Sequence, residues 1–116
     1  MGERAPRFHV RSKIWIEDED GTVAFGLGRY RILEAVDRSG SLQAAAKAQK
    51  MSYRAVWCRL HASAASLGHE LVERSGRGSK LTPYARTLMK QYNRFQTIVE
   101  AESNDLYDTL MQDHLS

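Results

Sequence analysis

Apolar and polar positions change their period several times along this chain, and each change marks an element. Residues 1–7 show no period and read as an arm. From Phe8 to Ile16 the residues alternate, with Phe8, Val10, Ser12, Ile14 and Ile16 on one side and His9, Arg11, Lys13 and Trp15 on the other. That period of two predicts a strand. Asp18-Glu19-Asp20-Gly21 is a turn signal, and Thr22 to Phe25 can return antiparallel as a hairpin. The period then switches to that of a helix. Leu27, Tyr30, Leu33 (with Ile32) and Val36 form an apolar stripe predicting a helix from Leu27 to Ser39, with Gly40 as its stop. Ser41 is a good N-cap for a shorter helix, Leu42 to about Gln49, with Leu42, Ala45, Ala46 and Ala48 inward. Lys50-Met51 is a tight connection, and Ser52 caps a third helix ending at Gly68.

Beyond it, Leu71 to Arg74 and Lys80-Leu81 read as short strands about the turn Gly76-Arg77-Gly78, with both glycines serving the turn. Thr82-Pro83 supplies a capping hydroxyl and a proline at the first helical position. No Gly or Pro follows, so one helix is expected from Pro83 to roughly Met111. The predicted fold is mainly α with a little β: hairpin, three helices, hairpin, long helix. Residues 1–82 and 83–116 are its two functional parts within one structural domain.

Charge sharpens this picture. The 116 residues carry 17 basic and 14 acidic groups, a formal net charge of +3. Residues 29–90 alone are net +8, whereas 14–28 and 91–116 are each net −4. A basic middle between acidic flanks suits a surface meeting a polyanion on one side. The single cysteine excludes an intrachain disulfide framework and a Cys-rich zinc fold. No apolar run approaches the roughly 18 residues of a membrane span, so the expectation is a cytoplasmic domain with no membrane contact.

The informative stretch is Gly40 to Trp57. Two capped helices joined by so short a turn must cross steeply, the arrangement that lets the second enter a DNA major groove. At 100° per residue, Val56, Leu60, Ser63 and Leu67 lie on the inner side of the third helix, with Trp57 and Ala64 at its edge. Arg54, Cys58, His61 and Ala65 lie opposite. Small residues permit close approach, and Arg can grip guanine O6 and N7 together, so Arg54 is the expected base reader. Ser52 and Tyr53 are candidates for base or backbone, His61 for phosphate, and Ser41 and Gln43 join them from the preceding helix. Arg74, Arg77 and Lys80 make the second hairpin a basic wing able to reach flanking backbone or minor groove.

These strings carry a resemblance. Gly40-Ser-Leu-Gln-Ala-Ala-Ala46, Met51-Ser-Tyr-Arg-Ala-Val-Trp57, Leu71-Val-Glu73 and Leu81-Thr-Pro-Tyr84 resemble the N-terminal domain of the molybdate-responsive (ModE-type) transcription regulators, and more broadly the LysR-type winged-helix regulators. Lys13-Ile-Trp-Ile and Gly26-Leu-Gly-Arg-Tyr are similar to that family's leading hairpin and first helix. The resemblance covers about residues 10–100 and implies a winged helix-turn-helix, a homodimer joined through helices, and operator DNA as partner. The family's longer glycine-rich wing is reduced here to Ser75–Ser79. The chain stops after the long helix, without the oxyanion-binding domains of full-length members, so molybdate sensing is not carried over and no small-molecule effector or cofactor is expected.

The last helix bears on assembly. Some thirty residues at about 1.5 Å each span about 45 Å, against a radius of gyration of about 13 Å for a domain this size. Its apolar positions Ala85, Leu88, Tyr92, Phe95, Val99 and Leu106 make a short heptad-like seam. Leu88, Tyr92, Phe95, Val99 and Leu106 are the candidate dimer contacts, and a two-fold dimer would present two reader helices to a pseudo-palindromic operator. An enzyme is the first competing reading, but Cys58 and His61 lack a third ligand or orienting acid. A protein–protein adaptor without DNA reading is the second.

Overall fold

The computed structural model describes residues 7–115, and the arm expected over residues 1–7 lies almost wholly outside them. The element order is β1 (Trp15–Glu17), β2 (Val23–Gly26), α1 (Leu27–Ser39), α2 (Leu42–Ala48), α3 (Tyr53–Leu67), β3 (Val72–Ser75), β4 (Gly78–Leu81) and α4 (Pro83–Tyr107). A π-helical turn at Asp108–Gln112 and a short α5 (Asp113–Leu115) follow. β1–β2 and β3–β4 are separate two-stranded antiparallel sheets. The chain forms two compact units: Ile14–Gln91, and the described residues of Met1–Lys13 and Tyr92–Ser116. The boundary between these two units falls within α4.

In the Ile14–Gln91 unit the core is Phe25 from β2, Ile32, Leu33 and Val36 from α1, Val56 and Leu60 from α3, and Leu71 ahead of β3, each at most 2% exposed. Ala45 and Ala46 are buried in α2, so small side chains let α1 and α3 come close. Ser63 is fully buried among them, and Arg29 Nε donates to its hydroxyl at 3.3 Å. Burial first, and then the charge of Arg59, lower the pKa of that guanidinium.

Capping sets the helix ends. Ser41 Oγ accepts from Ala44 N and Ser52 Oγ from Ala55 N, at 2.8 and 3.0 Å. Gly40 and Gly68 close α1 and α3 in the left-handed region, both at φ 75°. The connection between α2 and α3 is tight because Lys50 itself adopts φ 55°, while Met51 N donates to Ala46 O at 2.9 Å. Thr82 ties the second hairpin to α4: its Oγ1 donates to Glu70 O at 2.7 Å and accepts from Ala85 N at 3.1 Å.

Several expectations need correction. The alternation from Phe8 to Ile16 is not one strand. Only Trp15–Glu17 pairs with β2, because β2 itself is four residues long. Trp15 and Ile16 are both exposed, so the alternation does not separate two faces there. Upstream, the backbone is met by α4: Val10 N donates to Asn104 Oδ1 at 2.7 Å, and Gln96 Nε2 donates to Ser12 O at 3.0 Å. Phe8 packs edge-on against Tyr107 at 6.4 Å between ring centroids. The helix expected to run to Met111 keeps α geometry only to Tyr107 and then widens into the π turn. Ala48 is exposed, since the inward side of a seven-residue helix is already filled by Ala45 and Ala46. Trp57 is 44% exposed and not at a buried edge, because Val56 and Leu60 occupy the inner side of α3.

The wing glycines divide their roles. Gly76 takes φ 59° in a two-residue turn, the Gly-first hairpin class. Gly78 is not a turn residue. A Cβ there would overlap the Gly40 carbonyl oxygen, and that oxygen accepts the neighbouring Ser79 N–H at 2.8 Å. The wing is thus seated on the α1–α2 turn, which sets its distance from α3.

Candidate nucleic-acid interface

The outward side of α3 is open. Arg54 and Cys58 are exposed. Among the described residues Arg54 has no acidic partner within salt-bridge distance, whereas Arg38 pairs with Glu34, Lys80 with Glu73 and Arg86 with Asp37. Ser52 and Ser41 spend a lone pair on their caps, which leaves each hydroxyl proton free to donate outward. Gln43 is exposed one residue into α2. His61, the candidate for a phosphate contact, has its ring engaged within α3. Its Nδ1 lies 2.8 Å from Trp57 O, which can only accept, so Nδ1 carries the proton there. The imidazole stacks on the Trp57 indole with centroids 3.7 Å apart.

The wing contributes cations to the same side of the unit. In its register Glu73 faces Lys80 and Arg74 faces Ser79. Side chains alternate across a strand, so Arg74 and Lys80 occupy opposite faces of the hairpin. Lys80 Nζ sits 3.8 Å from Glu73 Oε1, both side chains about half exposed, a contact of little strength in water. Arg74 and Arg77 have no acidic partner among the described residues and line an open cleft of about 470 Å³ with Leu42, Tyr53, Trp57 and Val72. The fold therefore gathers Tyr53, Arg74 and Arg77 about one cleft and leaves Lys80 on the hairpin's other face.

Trp57 is the residue that reading the sequence missed. Its signal was the row Tyr53, Trp57, His61 at four-residue spacing, one face of a helix. The other unit presents a second surface. Phe95, Ile98 and Leu106 of α4 are 54–57% exposed, whereas Tyr92 is 6% exposed and Val99 is half-buried; Leu88, also half-buried, belongs to the Ile14–Gln91 unit. Ile98, absent from the expected seam, lies beside Phe95 on that face.

Residues 27–86 match the family described as bacterial regulatory helix-turn-helix protein, lysR family. The chain belongs to that family. The match runs from the first residue of α1 to the first turn of α4, so this lysR-type domain holds α2, α3 and the wing. The chain is 31% identical over 111 residues to the molybdenum transport protein ModE of Azotobacter vinelandii, covering 91% of this chain and 40% of that protein. It is 33% identical over 85 residues to the transcriptional regulator ModE of Haemophilus influenzae, covering 69% of this chain and 33% of that one. The chain thus spans less than half the length of these relatives. The solved complex of the CbnR DNA-binding domain with DNA is 28% identical, with a TM-score of 0.55, over 71% of this chain and 93% of that one. A BenM DNA-binding domain in complex with DNA shares the fold at 20% identity and a TM-score of 0.56, over 75% and 98% of the two chains. Among the described residues no helix is long and apolar enough to cross a membrane.

Proposed function

We propose that this chain is a sequence-specific, double-stranded-DNA-binding transcriptional regulator that acts in the cytoplasm and reads a pseudo-palindromic operator as a homodimer. One observation carries the reading: Arg54 stands exposed on the open side of α3, and neither it nor Arg74 and Arg77 of the wing has an acidic partner among the described residues. Arg54 reads a base pair, while Ser41, Gln43, Ser52 and Tyr53 fix the register on the backbone. The DNA complexes of CbnR and BenM support the same use of the fold. The exposed apolar face of Phe95, Ile98 and Leu106 is the dimer contact, and pairing sets two reader helices about 34–36 Å apart along one side of the duplex. An adaptor reading explains the apolar face of α4 but leaves without a role the cations of α3 and the wing that lack an acidic partner among the described residues.

Selection of binding sites from random duplex DNA, followed by a salt titration on the selected site, tests this. The expected result is a two-fold-related motif. Log affinity should fall against log salt with a slope of about −7 if roughly eight phosphates are neutralised. Binding indifferent to salt, or no enriched motif, removes the proposal.

A further inference from the structure

The cleft between α3 and the wing has a chemistry of its own. Leu42 and Val72 are its apolar lining, and with them stand Tyr53, Trp57, Arg74 and Arg77. The carboxylate of Glu73 lies with Lys80, 3.8 Å away, on the hairpin face opposite Arg74. Trp57 has no hydrogen-bond acceptor for its indole N–H among the described residues, in contrast with Trp15, whose Nε1 donates to Glu17 Oε1 at 2.7 Å. The His61 stack and the His61–Trp57 backbone contact hold the exposed indole in place. An indole nitrogen can only donate, and guanidinium groups only donate. The site therefore combines several donors with an apolar lining, and its volume of about 470 Å³ exceeds what a lone ion needs.

We propose that this cleft receives one sugar–phosphate strand of the duplex, with the Trp57 indole N–H and the Tyr53 hydroxyl as donors to a phosphate that Arg74 and Arg77 flank. The inference rests on the DNA-reading proposal above and adds an occupant for the space between its two parts. Geometry favours it: the strand separating a major groove from its neighbouring minor groove must pass between a helix in the first and a wing reaching the second. Phosphate oxygens accept only, and deoxyribose is a largely apolar body, so each matches one part of the lining. Trp57 is then a neutral positioning donor. It fixes where the strand lies, and hence how far Arg54 reaches toward the bases.

The test pairs single methylphosphonate substitutions, scanned through the selected operator, with Trp57→Phe and Tyr53→Phe. Both variants keep an exposed ring and remove one donor, and thermal unfolding checks that each folds. One phosphate per half-site should lower wild-type affinity about tenfold when neutralised, the scale of a hydrogen bond to a charged group. Trp57→Phe should weaken the unmodified operator by about a hundredfold, about tenfold for each half-site, and the same methylphosphonate should then cost the variant clearly less than it costs the wild type. Its salt slope should stay at the wild-type value, whereas Arg77→Ala, which removes one cation from each protomer of the dimer, should make the slope shallower by about 1.8. If both Phe variants lose as much as the wild type at every methylphosphonate, the cleft does not hold that strand, although salt-dependent operator binding still stands. Absence of salt-dependent duplex binding in the wild type overturns both proposals together.

Discussion

Substituting the two wing glycines separates a turn requirement from a packing requirement. At Gly78 a methyl group meets the Gly40 carbonyl oxygen, which is backbone and cannot swing aside as a side chain would. Either the overlap is absorbed, at roughly 1–3 kcal/mol for overpacking, or the wing lifts and gives up the Ser79 N–Gly40 O bond, worth about 1 kcal/mol. A combination of the two puts Gly78→Ala at roughly 2–4 kcal/mol. At Gly76 nothing lies within 4 Å of a built Cβ, so only the φ of 59° opposes a side chain. That strain is roughly 1–2 kcal/mol. Urea unfolding at one fixed protein concentration reads both values, and thermal midpoints should follow at about 4 °C per kcal/mol for a chain of this size. Gly78→Ala should also weaken operator binding more than Gly76→Ala, since it moves the wing relative to α3. A Gly78→Ala protein within 0.5 kcal/mol of wild type, or less affected than Gly76→Ala, would refute the close approach that seats the wing.

Other outcomes follow from the same geometry. Arg54→Ala should cost roughly 1–3 kcal/mol on the selected operator and relax one base pair per half-site, with little change on random duplex; equal losses on both would make Arg54 a phosphate contact. Ile98→Asp places a charge in the exposed apolar face of α4, and sedimentation at micromolar concentration should then report monomer where the wild type is dimeric. An unchanged sedimentation coefficient would move the interface elsewhere. Lys50→Gly should stabilise the domain by about 0.5–1 kcal/mol, since it relieves a left-handed residue at the α2–α3 connection at some entropic cost; destabilisation in urea would contradict this.

Much of this protein is legible in its residues because the decisive signals are local. Ser41 and Ser52 accept from the amides three residues on, and Gly40 and Gly68 take left-handed conformations that other residues resist, so four helix boundaries follow from short-range chemistry alone. Thr82-Pro83 begins α4 for the same reason. The inner face of α3 and the exposure of Arg54 follow from helical period and charge, which need no partner to be read.

Contacts between residues distant in sequence depend on the folded whole. Alternation from Phe8 to Ser12 reports an extended chain but not what satisfies it, and the groups that do, Gln96 and Asn104, lie far along the chain on α4. Gly78 reads as a turn residue until Gly40 is brought against it. Trp57 reads as core by its hydrophobicity, yet Val56 and Leu60 already fill the inner side of α3, so the indole is left outside with His61 laid over it. Local propensity and period act over one or two turns of chain. Which surface covers which is settled by volume and by hydrogen-bond pairing across the whole fold, and no window of sequence contains that information.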